Sequence, residues 1–377
     1  MIGKRKITLE EIALTGLAPA ALIESKTRSL SRSPSRLVAD LAESLVSKGR
    51  AHLENKQYDD ARHCFESALY LSPDHRGALL GLNRVHRKLI PRWHFEMLND
   101  EERNSAFERA LSKAITPYTT VLDIGSGSGL LAMMAARAGA KLTISCEMIT
   151  PIAELAQYTV THNGYADKVV ILDKKSTDLR IGVDMMERAD LLVTEIVDCG
   201  LLGEGIISSI THARGNLLKE GARIIPKTAS IIAAVVESKQ LRKLNYADKA
   251  AGFDVSPINQ YATAGYFPVR SGAFNYVPLA EPFEVFRFDF TQGVIASGSR
   301  LISVPVKRGG VCHAILFWFD MQLDDEISIS NRPGSSTHWE QALQCLDRDV
   351  SVRAGATLTV CAEHDCSTVS FKLIKSS

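Results

Sequence analysis

A glycine-rich turn lies between an apolar run and the start of a predicted helix. The run Val121 to Ile124, which includes Asp123, is followed by three glycines at alternate positions, Gly125, Gly127 and Gly129. Glycine lets a ligand approach the backbone closely and leaves amide groups that point toward it. The turn therefore predicts a binding site for a small polar ligand beside the strand that carries Asp123.

The class of ligand follows from what the turn lacks and from an acid further along the chain. A dinucleotide-binding fingerprint needs a glycine at position 130, where this chain has Leu130, and a P-loop continues with Lys and then Ser or Thr. Glu147 ends the next predicted strand, about 20 residues on, where an acid accepts hydrogen bonds from ribose hydroxyls. The pattern predicts S-adenosylmethionine, with S-adenosylhomocysteine as its product; a structural turn or another nucleotide is the alternative.

Two glutamates occupy the place where an open α/β sheet puts its chemistry. Glu195 ends the fourth predicted strand, and Glu204 follows nine residues later between Gly203 and Gly205. The C-terminal ends of parallel strands form the ligand-binding edge of such a sheet. The loop between the glutamates is rich in glycine and apolar residues and contains one further acid, Asp198. This setting, more than the spacing, predicts that the pair acts on a substrate.

The elements that position these residues alternate as in a parallel α/β sheet between residues 91 and 226. A helix is predicted at Leu130–Arg137, and the predicted strands are Thr120–Ile124, Leu142–Cys146, Val169–Leu172 and Leu191–Glu195. From residue 227 to 377, β-rich runs replace helices. The polar stretch at 238–278 is too long for a simple strand connection, so we expect an insertion with its own role.

The N-terminal part divides into a leader and a helical segment. Residues 1–40 contain a Ser-, Arg- and Pro-rich stretch with little apolar content, which predicts a flexible leader. Residues 41–90 match the tetratricopeptide pattern at Leu45, Gly49, Ala61, Phe65, Ala68 and Pro73. A lone repeat cannot bury its apolar face. We therefore expect it to pack on a helix at Gly77–Leu89 and on the domain that follows; a generic helical hairpin is the alternative.

Composition limits the partners and the compartment. The 44 basic residues nearly balance the 43 acidic ones, so no overall field attracts nucleic acid or an anionic membrane. No apolar run reaches the roughly 20 residues needed to cross a bilayer, and acids near the N-terminus disfavour a signal peptide. The seven cysteines lack a Cys-x-x-Cys pair. Reduced thiols without metal are therefore expected in an intracellular protein, cytoplasmic or nuclear; metal at Cys361, His364 and Cys366 is the alternative.

Three motifs in this order resemble those of the protein arginine methyltransferases. They are His94–Asp100 with Arg103 just before the sheet, the double-glutamate loop (Glu195–Gly205), and Thr337-His338-Trp339 in the β-rich half. The resemblance covers residues 91–377. The loop and Leu323-Asp324-Asp325-Glu326 are most similar to the type nine members, which also carry tetratricopeptide repeats, and then to type seven. Those members have two catalytic-type modules in tandem, whereas this chain has one.

The resemblance implies how the target arginine is bound and activated. Glu195 and Glu204 bind the guanidinium and draw its charge to one side, so that another nitrogen attacks the methyl group. Such help is needed because an arginine is cationic at any working pH and a poor nucleophile. Met97 and Trp339 line the arginine pocket, with core packing as the alternative for Met97. His338 accepts a proton or, as we favour, holds the double-glutamate loop in place.

Further roles follow from the same resemblance. Arg103 pairs with the methionine carboxylate of the cofactor, Glu147 holds its ribose, and Thr177 lies where family members contact adenine, although the better-known members have glutamate there. Asp198 favours substrates with additional basic residues; a solvated loop acid is the alternative.

The resemblance also implies the fold and the partners. We expect a class I Rossmann-like α/β methyltransferase domain at 91–226 and a β-barrel substrate domain at 227–377, whose dimerisation arm spans about 238–278. Arginine-containing proteins are the expected substrates, methylated once and then symmetrically. A homodimer and a protein partner on the tetratricopeptide-like segment are also expected. A class I methyltransferase acting on another acceptor, and a catalytically silent scaffold, are the alternatives.

Overall fold

The structure is a computed structural model that describes residues 34–374 of the chain. The chain divides into two compact units between Leu89 and Ile90. Most of the predicted leader lies outside the described residues, and its end is not a leader, because residues 34–40 already belong to the first helix. Among the described residues, no helix combines the length and apolar character needed to cross a membrane.

The described part of the first unit consists of helices α1 (Pro34–Glu54), α2 (Tyr58–Leu71) and α3 (Arg76–Leu89). Phe65 of α2 is fully buried. Its ring packs against Gly49 of α1 and Gly81 of α3, where an added Cβ would lie 2.8 and 2.3 Å from ring carbons. Glycine at these two positions lets all three helices approach one aromatic ring.

The second unit begins with helices α4 (Trp93–Leu98) and α5 (Glu101–Ala114). A parallel sheet follows, whose elements in chain order are β1 (Thr120–Ile124), α6 (Leu130–Arg137), β2 (Leu142–Glu147), α7 (Thr150–His162), β3 (Val169–Asp173), β4 (Ala189–Thr194), α8 (Ile206–Asn216) and β5 (Leu218–Ile225). The strand order is β3-β2-β1-β4-β5, and every neighbouring pair is parallel.

This strand order creates a switch point between β1 and β4. The chain builds one half of the sheet outward from β1 to β3 and then crosses back to add β4 on the other side. In open sheets, ligands bind outside the C-terminal ends of strands at such a point. The predicted strands and the helix Leu130–Arg137 are present, but β4 ends at Thr194, so Glu195 is the first residue beyond it.

The remainder of the second unit is antiparallel. Its elements are β6 (Thr228–Glu237), α9 (Lys239–Arg242), β7 (Lys249–Ala250), β8 (Phe253–Asp254), β9 (Phe267–Val269), β10 (Val277–Pro278), β11 (Phe283–Asp289), β12 (Gly298–Pro305), β13 (Gly310–Gln322), β14 (Ser328–Ser330), β15 (Gln341–Val352), β16 (Thr357–His364) and β17 (Val369–Ile374). One sheet has the order β10-β6-β13-β15-β9, and another has β12-β16-β17. Together they form the β-barrel-like domain, and the predicted insertion contains α9 and β7 to β10.

One hydrophobic core runs through the parallel sheet and the barrel. Phe107 of α5, Leu191 of β4 and Phe317 of β13 are fully buried members of the same cluster. Leu201 and Trp339, from the double-glutamate loop and the Thr-His-Trp segment, also belong to it. Because these two segments share a close-packed core, the barrel holds its residues firmly against the C-terminal edge of the sheet.

Candidate active site

The glycine turn after β1 is shaped by left-handed backbone at its three glycines. Gly125, Gly127 and Gly129 have φ values of +87°, +51° and +82°, which side chains with a Cβ rarely adopt. The turn is tied to the end of β2, since Gly125 N–H donates to the carbonyl of Cys146 (3.0 Å) and Gly127 N–H to Glu147 Oε2 (3.2 Å). A Cβ at Gly127 would meet nothing within 4 Å, so the middle of the turn faces open space.

Asp123 lies fully buried in β1 and has a free acceptor. Its Oδ2 accepts from Ser145 Oγ at 2.7 Å, whereas Oδ1 has no hydrogen-bond partner among the described residues. Burial raises the pKa of Asp123 to about 7, the Ser145 hydrogen bond opposes this, and the charge of Glu147 adds to it. A buried unpartnered oxygen next to an open glycine turn suits a ligand rich in donors, and S-adenosylmethionine brings an ammonium group and ribose hydroxyls. The residues present therefore fit this cofactor.

Glu147 and Thr177 lie at the same edge of the sheet. Glu147 pairs in register with Asp173 at the end of β3, and Thr177 follows in a short 3-10 turn, half-buried. Glu147 Oε1 also accepts from the backbone N–H of Ile149 at 3.0 Å, which orients the carboxylate. The ribose and adenine roles of these two residues stay predictions.

Arg103 and Glu195 form a buried ion pair. Arg103 Nε donates to Glu195 Oε2 at 2.9 Å, and its Nη2 donates to the same oxygen; the two side chains are 4% and 5% exposed. The guanidinium carbon of Arg103 also lies 5.5 Å from the centre of the Phe107 ring. Sequence reasoning had assigned Arg103 to the cofactor, and its contact with Glu195 was not foreseen. Glu195 is thus seen to bind a guanidinium group.

Glu204 stands apart from this pair and forms no hydrogen bond or ion pair with the part of the chain that the structure describes. Its side chain is open to solvent but lies in a cleft crowded by protein atoms. That desolvation, followed by the negative charges of Glu195, Asp198 and Glu147, raises its pKa to about 7. The neighbouring negative charges favour a cation beside Glu204.

Two barrel residues hold the backbone of the double-glutamate loop. Trp339 Nε1 donates to the carbonyl of Val197 at 3.2 Å, and Asn331 Nδ2 donates to the carbonyl of Cys199 at 3.1 Å. Trp339 is 6% exposed, so it supports the loop from behind and does not present a broad wall to the pocket. Asn331 is fully buried and escaped sequence reasoning, because a single asparagine eight residues before Trp339 gives no signal.

Asp198 has a role that neither sequence interpretation anticipated. Its Oδ1 accepts from the N–H of Gly203 at 2.9 Å, and its Oδ2 accepts from the Tyr266 hydroxyl at 2.7 Å. Both oxygens are therefore engaged in fixing the loop, and the residue is half-buried. Asp198 is therefore not a freely solvated loop acid, because both of its carboxylate oxygens accept hydrogen bonds from protein groups.

His338 contacts the start of α5 and not the double-glutamate loop. Its Nδ1 lies 2.9 Å from Asp100 Oδ2, which also accepts from the His338 backbone N–H at 2.7 Å. Asp100 Oδ1 caps α5 through the N–H of Arg103 at 2.9 Å. Burial alone would raise the pKa of Asp100, but these hydrogen bonds from His338 and Arg103 hold it below its ordinary value. Trp339 therefore holds the double-glutamate loop through its bond to Val197, whereas His338 is oriented by Asp100.

Helix α4 carries Met97 and a histidine that sequence reasoning passed over. Met97 is half-buried and is not part of the core shared by sheet and barrel, so its place beside the substrate stays a prediction. His94 lies near both Glu147 and Glu195; burial lowers its pKa although those carboxylates favour the charged form. His94 is part of the His94–Asp100 motif. Its imidazole, which can gain or lose a proton near neutral pH, is the feature of the sequence that could have identified it.

The alternative metal site, at Cys361, His364 and Cys366, lies within the described residues. No group of three or more His, Cys, Asp or Glu side chains there could hold a metal ion. All seven cysteines are free thiols. Burial raises the pKa of Cys199, the cysteine within the double-glutamate loop, so its thiol is not activated as a nucleophile.

The parallel sheet, the glycine turn after β1 and the acid at the end of β2 define a class I S-adenosylmethionine-dependent methyltransferase. Three family models match parts of the chain: the arginine methyltransferase oligomerization subdomain at residues 227–372, the ribosomal protein L11 methyltransferase at 108–259 and the tetratricopeptide repeat at 42–75. The second of these covers the parallel sheet, and the first covers the barrel. The tetratricopeptide match contains α2 and most of α1.

The chain belongs to the arginine methyltransferase family. It is 40% identical over 331 residues to an arginine N(omega)-methyltransferase of Streptomyces achromogenes subsp. streptozoticus, covering 87% of this chain and 89% of that protein. It is 34% identical over 347 residues to protein arginine N-methyltransferase 9 of Mus musculus, covering 82% of this chain but 41% of that protein. Protein arginine N-methyltransferase 7 of Drosophila ananassae is 36% identical over 66% of this chain and 39% of its own length.

Two solved structures share the fold. The Trypanosoma brucei PRMT1 enzyme-prozyme heterotetrameric complex with AdoHcy superposes with a TM-score of 0.63 at 24% identity, covering 72% of this chain and 86% of that chain. Arabidopsis thaliana protein arginine methyltransferase 10 gives a TM-score of 0.59 at 20% identity, covering 74% of this chain and 95% of that chain. At these identities the likeness concerns the architecture of the two domains.

Proposed function

We propose that this protein transfers a methyl group from S-adenosylmethionine to the guanidinium group of arginine in proteins. The observation that carries the proposal is the contact between Glu195 and the guanidinium of Arg103, together with the carboxylate of Glu204, which has no cationic partner within residues 34–374. A site of this kind recognises a second guanidinium. Membership of the arginine methyltransferase family supports the same reaction.

The reaction needs a methyl group on a positively charged sulfur, which S-adenosylmethionine supplies. The residues of the chain bind the substrate and set its geometry. Glu204, once ionised, attracts the arginine side chain and draws its positive charge toward one nitrogen. The remaining nitrogen is then the better nucleophile. Holding this nitrogen in line with the methyl carbon contributes much of the rate, and His338, oriented by Asp100, is the candidate acceptor for the proton that is released.

The acceptor and the product extend this proposal. The resemblance to the type nine members supports monomethylation followed by symmetric dimethylation, and the type nine protein of Mus musculus is 34% identical over 82% of this chain. A second acceptor is supported by the Streptomyces relative, which is named for arginine without reference to protein and aligns over 89% of its length. Free arginine is therefore the second candidate substrate.

The test uses two separate incubations of the purified protein with S-adenosylmethionine, one with arginine-rich proteins and one with free arginine. Methylated amino acids are then identified by mass spectrometry. Glu204→Gln is the informative variant, because Glu204 has no bond to the described protein whose loss would disturb the fold. Glu220→Gln, at an exposed residue of β5, is the matched control. Methylarginine that requires Glu204 but not Glu220 supports the proposal. If neither acceptor is methylated by protein that binds the cofactor, the proposal is wrong.

We further propose that the protein acts as a homodimer. The barrel domain matches an oligomerization subdomain, and the insertion exposes large apolar side chains, Phe253, Ile258 and Tyr261.

A protein partner is proposed for the first unit, at the cleft lined by Leu53, Tyr58, Arg84, Arg87 and Lys88. The free cysteines support an intracellular location, cytoplasmic or nuclear.

A further inference from the structure

Tyr266 joins the insertion at residues 238–278 to the double-glutamate loop. Its hydroxyl donates to Asp198 Oδ2 at 2.7 Å, and its ring lies so close to the loop that a Cβ on Gly200 would come within 2.5 Å of it. Burial and the charge of Asp198 raise the pKa of the Tyr266 hydroxyl, which keeps it protonated as a donor. The loop is therefore both bonded to this side chain and packed against it.

The other side of Tyr266 is fixed in the barrel. Its ring meets the fully buried Phe317 of β13 edge to face, with centroids 5.1 Å apart and planes at 83°. The next residues form β9, which pairs with β15 at Phe267 and Leu343. Tyr266 therefore connects the barrel core to the loop rigidly, because its ring packs on Phe317 and the backbone that follows it is paired in β9.

The part of the loop that Tyr266 reaches is the part under strain. Leu201 has a φ of +81°, in a region that a bulky side chain rarely adopts, and its own side chain is fully buried. Such a conformation persists where the surroundings enforce it. Trp339 and Asn331 bind carbonyls at the start of the loop. Through Asp198 and its bond to Gly203, Tyr266 acts on the end of the loop that leads to Glu204.

We propose that Tyr266 is a positioning residue that fixes Glu204 for methyl transfer and thereby makes the insertion a determinant of turnover. The inference rests on the proposed function, since it assigns the position of Glu204 in that same site. Without the Tyr266 hydroxyl, Asp198 keeps one of its two bonds and the strained end of the loop has an additional freedom to relax. Glu204 then spends less time where it grips the guanidinium, while the glycine turn and Glu147 are untouched.

Tyr266→Phe removes the hydroxyl and keeps the ring contacts with Gly200 and Phe317. Tyr246→Phe is the matched control, because Tyr246 lies in the same insertion and its hydroxyl also contacts a carboxylate, Asp347 Oδ1 at 3.4 Å, away from the loop. For Tyr266→Phe we expect kcat for arginine methylation to fall by about tenfold, with KM for S-adenosylmethionine unchanged. Hydrogen exchange of peptides covering 195–205 should become faster in this variant and stay at the wild-type rate in Tyr246→Phe.

The two readouts separate this inference from the proposed function. If the wild type methylates arginine and Tyr266→Phe has the wild-type kcat with unchanged exchange in 195–205, the positioning role is wrong. An equal loss of turnover in Tyr246→Phe would also overturn it, because the effect would then belong to the insertion in general. If the wild type methylates no arginine, the proposed function fails. Faster exchange at 195–205 in Tyr266→Phe alone would then still show that the Tyr266 hydroxyl restrains the double-glutamate loop.

Discussion

Glu204 sets the pH dependence that we expect of the reaction. Its pKa is raised to about 7 by the cleft and by neighbouring carboxylates, so much of it is neutral at pH 6 and cannot attract a guanidinium. Below pH 7, kcat/KM for the arginine substrate should therefore fall by about tenfold per pH unit, whereas the kcat profile should bend at lower pH because a bound cation favours the ionised form. Steady-state rates between pH 5.5 and 9 measure both profiles.

The same experiment includes its own comparison. Glu204→Gln has no carboxylate to titrate at this position, so the acidic limb of its residual kcat/KM should change from that of the wild type, and any limb that remains belongs to another group such as Asp123. A wild-type limb close to pH 4.5, the ordinary pKa of a glutamate, would show that the neighbouring carboxylates do not act on Glu204 as the structure indicates.

Asp100 is a residue whose loss should cost stability as well as activity. Its carboxylate accepts three hydrogen bonds, two from His338 and one from the N–H of Arg103, and its side chain is 1% exposed. In Asp100→Asn an amide N–H replaces one acceptor, which should lower the free energy of unfolding by about 1 to 3 kcal/mol at pH 7. Urea unfolding measures this, and Asp325→Asn, at an exposed ion pair with Lys227, should cost less than about 1 kcal/mol.

The pH dependence of stability checks the same assignment. The folded-state pKa of Asp100 lies below the ordinary 3.8, so its contribution is complete above that value and is lost as the pH falls through the lower folded-state value. The stability difference between wild type and Asp100→Asn should therefore shrink between pH 5 and pH 2. A difference that stays constant over that range would mean that the ionised carboxylate is not the stabilising group.

At the scale of elements, the packing of α1, α2 and α3 depends on two glycines around one ring. A Cβ at Gly81 would lie 2.3 Å from the ring of Phe65, so Gly81→Ala should destabilise the helical unit by about 1 to 3 kcal/mol through overpacking. Gly215 of α8 has nothing within 4 Å of an added Cβ, and Gly215→Ala should instead stabilise its helix by up to about 1 kcal/mol. Hydrogen exchange of each helix measures both effects, and equal signs would contradict this account.

The elements also show how far the sequence could lead. Four strands of the parallel sheet, β1 to β4, and the glycine turn were predictable, because buried strands and closely spaced glycines leave local signals. The end of the leader was predicted wrongly, because the helix pattern of α1 continues into residues 34–40. The contacts of Asp198 with Tyr266, and of Asn331 with Cys199, join residues 68 and 132 positions apart. No local pattern encodes such a pair.

The site shows the same division. Glu147 could be placed from its position at the end of a strand, and Glu195 and Glu204 from the loop that follows another, whereas the partner of each side chain could not. His338 was expected at the double-glutamate loop and instead contacts Asp100, while its neighbour Trp339 binds the loop. Neighbouring residues in an irregular segment point in different directions, and the direction is set by tertiary packing.

At the scale of the whole molecule, the proposed homodimer depends on the exposed apolar side chains of the insertion. Phe253 is 74% exposed, so Phe253→Asp would place a charge in an apolar interface and should give a monomer with reduced turnover. Val294, 82% exposed in the connection between β11 and β12, provides the control, and Val294→Asp should keep the wild-type mass. Sedimentation equilibrium measures the mass, and a dimeric Phe253→Asp protein would exclude this surface.

The core shared by the parallel sheet and the barrel has a consequence for how such a protein can change over generations. Because α5, β4 and β13 bury their side chains in one continuous cluster, neither half presents a finished surface to the other. A recombination event that replaced the barrel with one from a distant relative would leave mismatched volumes on both sides of the join, and the hybrid would fold poorly. Sequence changes that still allow folding are therefore expected mainly in segments outside the cluster. Examples are the exposed part of the insertion around Phe253 and the separate helical unit before residue 90.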